Sequence, residues 1–256
     1  MKPITVKGQP LAEGRLPALC IPLVARTADA LRAEAAAAAS LSPDLIEWRV
    51  DFFEGLARTQ DVVALAAEIR RTTGVPLLFT RRSSREGGQP IALTEPQVVD
   101  LYKAVCEAQA ADIVDWEMAA QRDHVEALRD AARAAGVTLL LSFHDFGGTP
   151  ALPQLLERFR QAQALGGDVG KLAVMPKTRA DVLALLQATL QASEELAIPV
   201  AGMSMGALGA VTRLCGGEFG SALTFAVGQA ASAPGQMPVD DLRQALAVLR
   251  RGSAAG

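Results

Sequence analysis

Cysteine is scarce in this chain, with Cys20, Cys106 and Cys215 the only three in 256 residues. They are far apart, odd in number and form no C-x-x-C pair, which excludes a disulfide framework and a structural zinc site and points to a reducing cytoplasm. Histidine is scarcer still. His124 and His144 are too few for the multi-histidine ligand sets of zinc or two-metal hydrolases, so no metal is expected. No apolar stretch approaches the roughly 20 residues that cross a bilayer. Residues 1–6 lack the apolar core of a signal peptide, so a soluble protein away from membranes is expected. Lys+Arg 25 against Asp+Glu 28 leaves a net charge of -3, with no basic block to meet a phosphate backbone, which argues against nucleic acid as a partner. What is present is ordinary for a globular chain: half the residues are hydrophobic, 21% are charged, and there are 22 Gly and 14 Pro. A chain this long buries on the order of three quarters of its unfolded surface, enough to hold a core without disulfide or metal.

Short Val/Ile/Leu/Phe runs alternate with Ala/Leu/Arg/Glu-rich segments of helical period, the pattern of parallel strands and crossover helices. Strands are expected at 18–24, 45–50, 75–80, 112–117, 138–142, 169–174, 198–203 and 223–227. Helices are expected at 29–39, 61–71, 95–110, 121–135, 151–164, 179–195, 208–215 and 239–250. Ser42-Pro43-Asp44, Gly74, Gly136 and Gly166-Gly167 fall between a helix and the next strand, where they stop the helix. Eight strand–helix units in about 250 residues match an α/β fold of the (β/α)8 TIM-barrel type. A doubly wound sheet is disfavoured, because Ala25-Arg26-Thr27-Ala28 after the first strand is no glycine-rich phosphate loop. Residues 1–256 read as one barrel domain. Residues 5–7 would form one arm of an N-terminal hairpin closing the barrel's bottom, and residues 252–256 a frayed tail.

Chemistry in a barrel sits at the C-terminal strand ends, and here those ends are heavily charged. Glu47, Arg49 and Asp51 alternate with Trp48 and Val50, so they share one strand face and point inward. They read either as a paired Glu–Arg network or as a site for substrate hydroxyls. Lys171, one of five lysines against 20 arginines, is the only one inside an apolar strand run, Val169-Gly170-Lys171-Leu172-Ala173-Val174. Desolvation and neighbouring cations favour a neutral amine there, the form that attacks a carbonyl to make a Schiff base. The alternative is a lysine paired with a carboxylate such as Glu117. His144 closes the strand Thr138-Leu139-Leu140-Leu141-Ser142-Phe143-His144-Asp145 and suits general acid/base work beside such a nucleophile. Glu86, in Arg85-Glu86-Gly87-Gly88, is placed to orient its ring. The formal G-x-S-x-G match at Gly202-Met203-Ser204-Met205-Gly206 is set aside, because an elbow serine precedes its histidine and both histidines here come earlier.

Taken in order, these residues carry a resemblance. Glu47-Trp48-Arg49-Val50-Asp51, Phe79-Thr80 with Arg82 and Glu86-Gly87-Gly88, Asp115-x-Glu117, Ser142-Phe143-His144-Asp145, Lys171 with Met175-Pro176, Met203-Ser204-Met205-Gly206, Arg213 and Ser232-Ala233-Pro234-Gly235-Gln236 resemble type I 3-dehydroquinate dehydratase over nearly the whole chain. The resemblance implies syn dehydration of 3-dehydroquinate to 3-dehydroshikimate without metal, nucleotide or other cofactor. It implies that Lys171 forms the Schiff base, that His144 is the general acid/base and that Glu86 is its partner. It also implies that Arg213 holds the substrate carboxylate and that Glu47, Arg49, Arg82, Ser232 and Gln236 bind ring hydroxyls and carboxylate. Met203 and Met205 would pack on the ring, residues 228–235 would move as a lid, and the chain would be a homodimer. Two departures stand out: Phe143, bearing on how His144 is held, and Arg81, a second cation that would either act on Lys171 or face solvent.

Two other readings share parts of this pattern. A Schiff-base aldolase or transaldolase-type barrel would use Lys171 to cleave a C–C bond and hold a phosphate near Arg213 and Gly216-Gly217. A carboxylate-binding sensor barrel would have no use for the Lys171, His144 and Glu86 set.

Overall fold

Eight short runs that are apolar on the face toward the helices form parallel strands, as their β-branched and aliphatic content favours. The structure is a computed structural model and describes residues 1–12, 16–230 and 232–253. The strands are β1 (Ala18–Leu23), β2 (Leu45–Arg49), β3 (Leu77–Thr80), β4 (Ile113–Glu117), β5 (Thr138–Asp145), β6 (Val169–Val174), β7 (Val200–Ser204) and β8 (Leu223–Val227). β1 to β7 pair in chain order, and β8 pairs with β1. The ring closes where Val200 bridges Ser221 and the Ala222 N–H donates to the Val200 carbonyl at 2.7 Å. This is the expected (β/α)8 barrel, with one further two-residue strand, Met237–Pro238, on β8.

Element ends differ from the sequence reading for local reasons. Pro76 and Pro199 have no N–H to give the ladder, so β3 and β7 begin after them, although both carbonyls still accept from Ile46 and Gly170. The fifth strand runs on to Asp145, so His144 sits within it, paired with Ala173. The helix expected at 95–110 ends at Glu107, and the one at 208–215 is two pieces, Gly206–Gly209 and Val211–Cys215. The last helix, Val239–Ser253, takes in Gly252 and Ser253 of the tail expected to fray; residues 254–256 lie outside the described residues.

The lower half of the barrel is apolar. Ala18, Cys20, Leu45, Leu78, Ile113, Leu140, Val169, Ala201 and Leu223 fill it, and Ile4 and Val6 of the N-terminal hairpin plug it from below. That hairpin pairs Thr5–Val6 with Gln9–Pro10. Its turn is Lys7-Gly8, both at positive φ (50° and 77°), so Lys7 belongs to the turn and not to the arm. A repeated device fixes register at this end. Asp44, Asp112 and Asp168 each donate a backbone N–H to the carbonyl of a leucine on the preceding strand, Leu19, Leu77 and Leu139. Each also accepts that leucine's N–H on its carboxylate, at 2.8, 3.0 and 2.8 Å. The outward residues pack under the helices, where Phe53, Trp48, Phe79, Tyr102 and Trp116 form a chain of edge-to-face rings with centroids 5.1–5.7 Å apart. Tyr102 Oη donates to the Asp115 carbonyl at 2.9 Å and accepts the Arg81 N–H, so the wall grips β3 and β4 where Arg82 and Asp115 emerge.

Candidate active site

Above the apolar layer the interior turns polar, because alternate residues of β2–β6 place Glu47, Thr80, Asp115, Ser142 and Lys171 on the inner face. All of them are buried. Buried charges must be paired, and here the pairs are side chain to side chain. Lys171 Nζ donates to Asp115 Oδ2 at 3.1 Å, lies 3.9 Å from Glu47 Oε1, and sits over the Phe225 ring at 4.7 Å from its centroid. Its closest carboxylate is therefore Asp115, one inward position below Glu117. Glu117 instead accepts from Arg82 Nη1 at 3.2 Å and from the Ser83 N–H at 2.7 Å.

Arg82 is the hub of the network. Its Nη2 donates to Asp115 Oδ1 at 2.7 Å and its Nη1 to Ser142 Oγ at 2.8 Å, while Ser142 Oγ donates to Asp115 Oδ1 at 2.6 Å. Burial would raise the Asp115 carboxyl, but Arg82, Lys171 and the Ser142 hydrogen bond outweigh it and hold the group down at about 2. Arg49 is clasped by Asp51 through Nε and Nη2 at 2.9 and 2.8 Å. Asp51 also accepts the Arg82 and Gln89 N–H groups, which ties the loop after β3 to the β2 end. Glu47 accepts the Thr80 hydroxyl at 2.9 Å. The Glu47–Arg49–Asp51 trio thus combines both sequence readings: it is a paired network, and Glu47 and Arg49 still line the cavity.

His144 and Glu86 meet as the sequence suggests. Glu86 Oε2 lies 2.9 Å from His144 Nδ1 and accepts the His144 backbone N–H at 3.0 Å. The short turn Ser84–Glu86 delivers the carboxyl, and it is followed by Gly87 at φ 85° and Gly88. A Cβ on Gly87 would strike the Phe146 ring and one on Gly88 the Arg82 carbonyl, so both positions need glycine. Burial first, then the repulsion of Arg82, Lys171 and Arg49, pushes the His144 imidazolium well below the usual histidine range. Burial and the nearby Glu117 raise the Glu86 carboxyl to about 8. The ring is therefore neutral at rest, as a base must be. A proton on Nδ1 facing Glu86 leaves Nε2 for a substrate.

Arg213 differs from the other arginines at the site. Among the described residues no carboxylate pairs with it; Nη2 donates to the Pro234 carbonyl at 3.2 Å, Nη1 lies 3.7 Å from Met203 Sδ, and Nε is buried without a partner. Burial alone lowers it to about 10. Arg49 Nη1 donates to the Ser232 carbonyl at 3.4 Å, and the Ser232 N–H and Oγ pair with Gln236 at 2.9 and 3.2 Å. Ser232, Ala233 and Gln236 thereby form part of the lining of the cavity. Ala231, within the stretch expected to be a lid, lies outside the described residues.

Every residue proposed from sequence lines this one cavity: Glu47, Arg49, Arg82, Glu86, His144, Lys171, Met203, Met205, Arg213, Ser232 and Gln236. Phe146, Ala173, Phe225 and Ala233 line it too without having been singled out. Phe225 had a signal in its inward parity on β8, whereas Phe146 had none. The two departures turn out to face away. Phe143 lies outside the barrel under Arg158, 4.5 Å from its ring centroid, and does not hold His144. Arg81 is buried against Trp116 and paired with Glu95 on the helix layer, so it neither meets Lys171 nor faces solvent. Among the described residues no three His, Cys, Asp or Glu side chains are arranged to hold a metal ion, and no helix is long and apolar enough to cross a membrane.

A family model described as Type I 3-dehydroquinase matches residues 19–253. The 3-dehydroquinate dehydratase of Albidiferax ferrireducens is 51% identical over 256 residues, covering 100% of this chain and 97% of that protein. That of Salmonella typhimurium is 41% identical over 253 residues, covering 98% and 100%. Among solved structures, 3-dehydroquinate dehydratase from Geobacillus kaustophilus superposes with a TM-score of 0.94 at 46% identity, covering 98% of this chain and 97% of that one. A type I enzyme from Clostridium difficile, described with covalently modified comenic acid, gives 0.92 at 35% identity, covering 98% and 99%.

Proposed function

The chain belongs to the type I 3-dehydroquinase family and is a hydro-lyase, and on that premise we propose how its cavity removes water from 3-dehydroquinate to give 3-dehydroshikimate. The observation that carries the proposal is the joint placement, on the walls of one cavity, of Lys171, the His144–Glu86 pair and Arg213, which has no carboxylate partner among the described residues. A nucleophile, a neutral base and an anion site are the three functions the reaction needs.

Arg213, whose fork matches a planar anion, takes the substrate carboxylate. Arg49, Arg82, Glu47, Ser232 and Gln236 bind the ring hydroxyls and share the carboxylate, and Met203 and Met205 cover the ring. This sets the C3 ketone against Lys171. The ammonium passes one proton to the ketone oxygen as the nitrogen attacks the carbonyl carbon, and the oxygen leaves as water with a second proton from the nitrogen. The product of this step is an iminium, which draws the electrons of the adjacent C–H bond when His144 Nε2 takes the proton. The resulting enamine returns those electrons, the C1–OH bond breaks, and the hydroxyl departs as water with the proton from His144. Water then hydrolyses the imine and frees Lys171. One imidazole serving both transfers on one face gives syn elimination. Glu86 holds Nδ1 so that Nε2 stays the exchanging nitrogen.

A nucleophile in the cavity accords with the covalently modified ligand of the Clostridium difficile relative. The same reading takes residues 1–256 as one domain working without a cofactor in the cytoplasm as a homodimer, for which sedimentation is the direct check. The activity is tested by following the conjugated enone of 3-dehydroshikimate by absorbance. Turnover of 3-dehydroquinate with no C–C cleavage of sugar phosphates is expected. Cleavage of a sugar phosphate instead would move the assignment to the aldolase class.

A further inference from the structure

We propose that Asp115 is the buried counter-ion that keeps the imine nitrogen of Lys171 protonated through the reaction. The inference rests on imine formation at Lys171 and adds a residue to which no role in the chemistry has been given. The carboxylate is fully buried, its Oδ2 is 3.1 Å from Nζ, and its Oδ1 is held by Arg82 at 2.7 Å and Ser142 at 2.6 Å. Its backbone carbonyl is anchored by Tyr102 at 2.9 Å. The Phe225 ring lies beside Nζ, 4.7 Å from it to the centroid, so the nitrogen is bounded by an anion and an aromatic face.

Charge conservation gives this contact its purpose. Going from ammonium and ketone to iminium and water leaves one positive charge on the same nitrogen. The partner that suits the resting lysine therefore suits the intermediate. A neutral imine is a poor electron sink, so holding the proton on nitrogen is a condition for the next step. Glu47 is the other carboxylate in range, but it is farther, at 3.9 Å, and already accepts the Thr80 hydroxyl. The remaining titratable groups around the nitrogen are Arg49, Arg82, Glu86, Glu117, the neutral His144 and the buried Cys20 thiol on β1. Arg82 and Arg49 oppose a second positive charge, which leaves Asp115 to offset them. Arg82 and Ser142 keep Asp115 ionised, so it acts as a fixed charge and not as a proton acceptor.

The test is borohydride trapping with 3-dehydroquinate at pH 7 and pH 9, read by intact mass, in wild type and Asp115→Asn. An opposite charge at this distance shifts a titration by about 1–3 units. The expected wild-type adduct is nearly constant between the two pH values, whereas the Asp115→Asn adduct falls about tenfold or more at pH 9, with kcat falling more than KM rises. Equal yields and equal pH dependence in the two proteins would overturn the counter-ion while leaving the imine. No adduct in wild type would overturn the imine itself. Should Asp115→Asn not fold, two measurements decide. Ser142→Ala loosens Oδ1 without changing any charge, and its pH 9 yield is expected to drop about two- to tenfold, as for loss of one hydrogen bond. The C=N stretch of wild type with 3-dehydroshikimate is expected to move in D2O. An unchanged yield in Ser142→Ala, or a stretch that does not move, overturns the proposal.

Discussion

Asp112 and Asp115 lie three residues apart at β4 and do opposite work. Asp112, at the lower end, accepts the Leu77 N–H at 3.0 Å and Arg70 Nε at 2.7 Å, and like Asp44 and Asp168 it ties one strand to the next through backbone. Asp115, one layer up, touches side-chain cations, Lys171 and Arg82, that line the cavity. Both are buried carboxylates with cationic partners, so residue type and burial do not separate them. The partner's destination does: one network ends on the main chain, the other on groups that face the cavity. The lower end of the barrel is therefore expected to govern stability and the upper end activity.

Substitutions along the barrel axis test that division. Lys171→Ala is expected to abolish turnover while leaving thermal unfolding intact; a variant keeping near wild-type rate would remove the imine. His144→Ala should lose about 10²–10⁴-fold in kcat, the usual yield of a general base, yet still form the imine with 3-dehydroquinate. Arg213→Ala should act on binding, raising KM by about 10–100-fold for the loss of a charge-assisted hydrogen bond of roughly 1.5–3 kcal/mol. A kcat effect without a KM effect there would place the carboxylate elsewhere. At the opposite end, Asp112→Ala should cost about 1–3 kcal/mol of stability by leaving the Leu77 N–H and Arg70 without their acceptor, with kcat and KM unchanged. A drop in kcat would show that the two ends are not separate. The subtlest signature is in pH. His144 works as the neutral base and its imidazolium is destabilised, so the rate should hold as pH falls through the ordinary histidine range near 6.5 and decline only below it. An acid limb at or above 6.5 would contradict that environment.

Much of this was legible because strand periodicity and barrel chemistry agree. A lone lysine inside an apolar run, a histidine closing another, and charges spaced by two on a third all mark inward strand ends once eight units are counted. The barrel's curvature and register were not legible. Arg81 and Arg82 are adjacent arginines, and only their contacts show that one packs on Trp116 outside while the other meets Asp115 within. Asp115 and Glu117 share inward parity, and the ladder puts Glu117, Ser142 and Lys171 in one row, yet Lys171 Nζ meets Asp115 one inward position lower, a choice that only the side-chain distances show. Phe143 beside His144 suggested a local influence that the alternation of strand faces removes. The grip of Arg49 and Arg213 on the carbonyls of Ser232 and Pro234 joins distant segments and had no sequence signal.

The most direct test of the account is peptide mapping of the protein after incubation with 3-dehydroquinate and borohydride, with Lys171→Ala alongside. The account predicts one reduced ligand adduct, on the peptide carrying Lys171, absent from the variant. Dehydration with no adduct, or an adduct on another lysine, would contradict it.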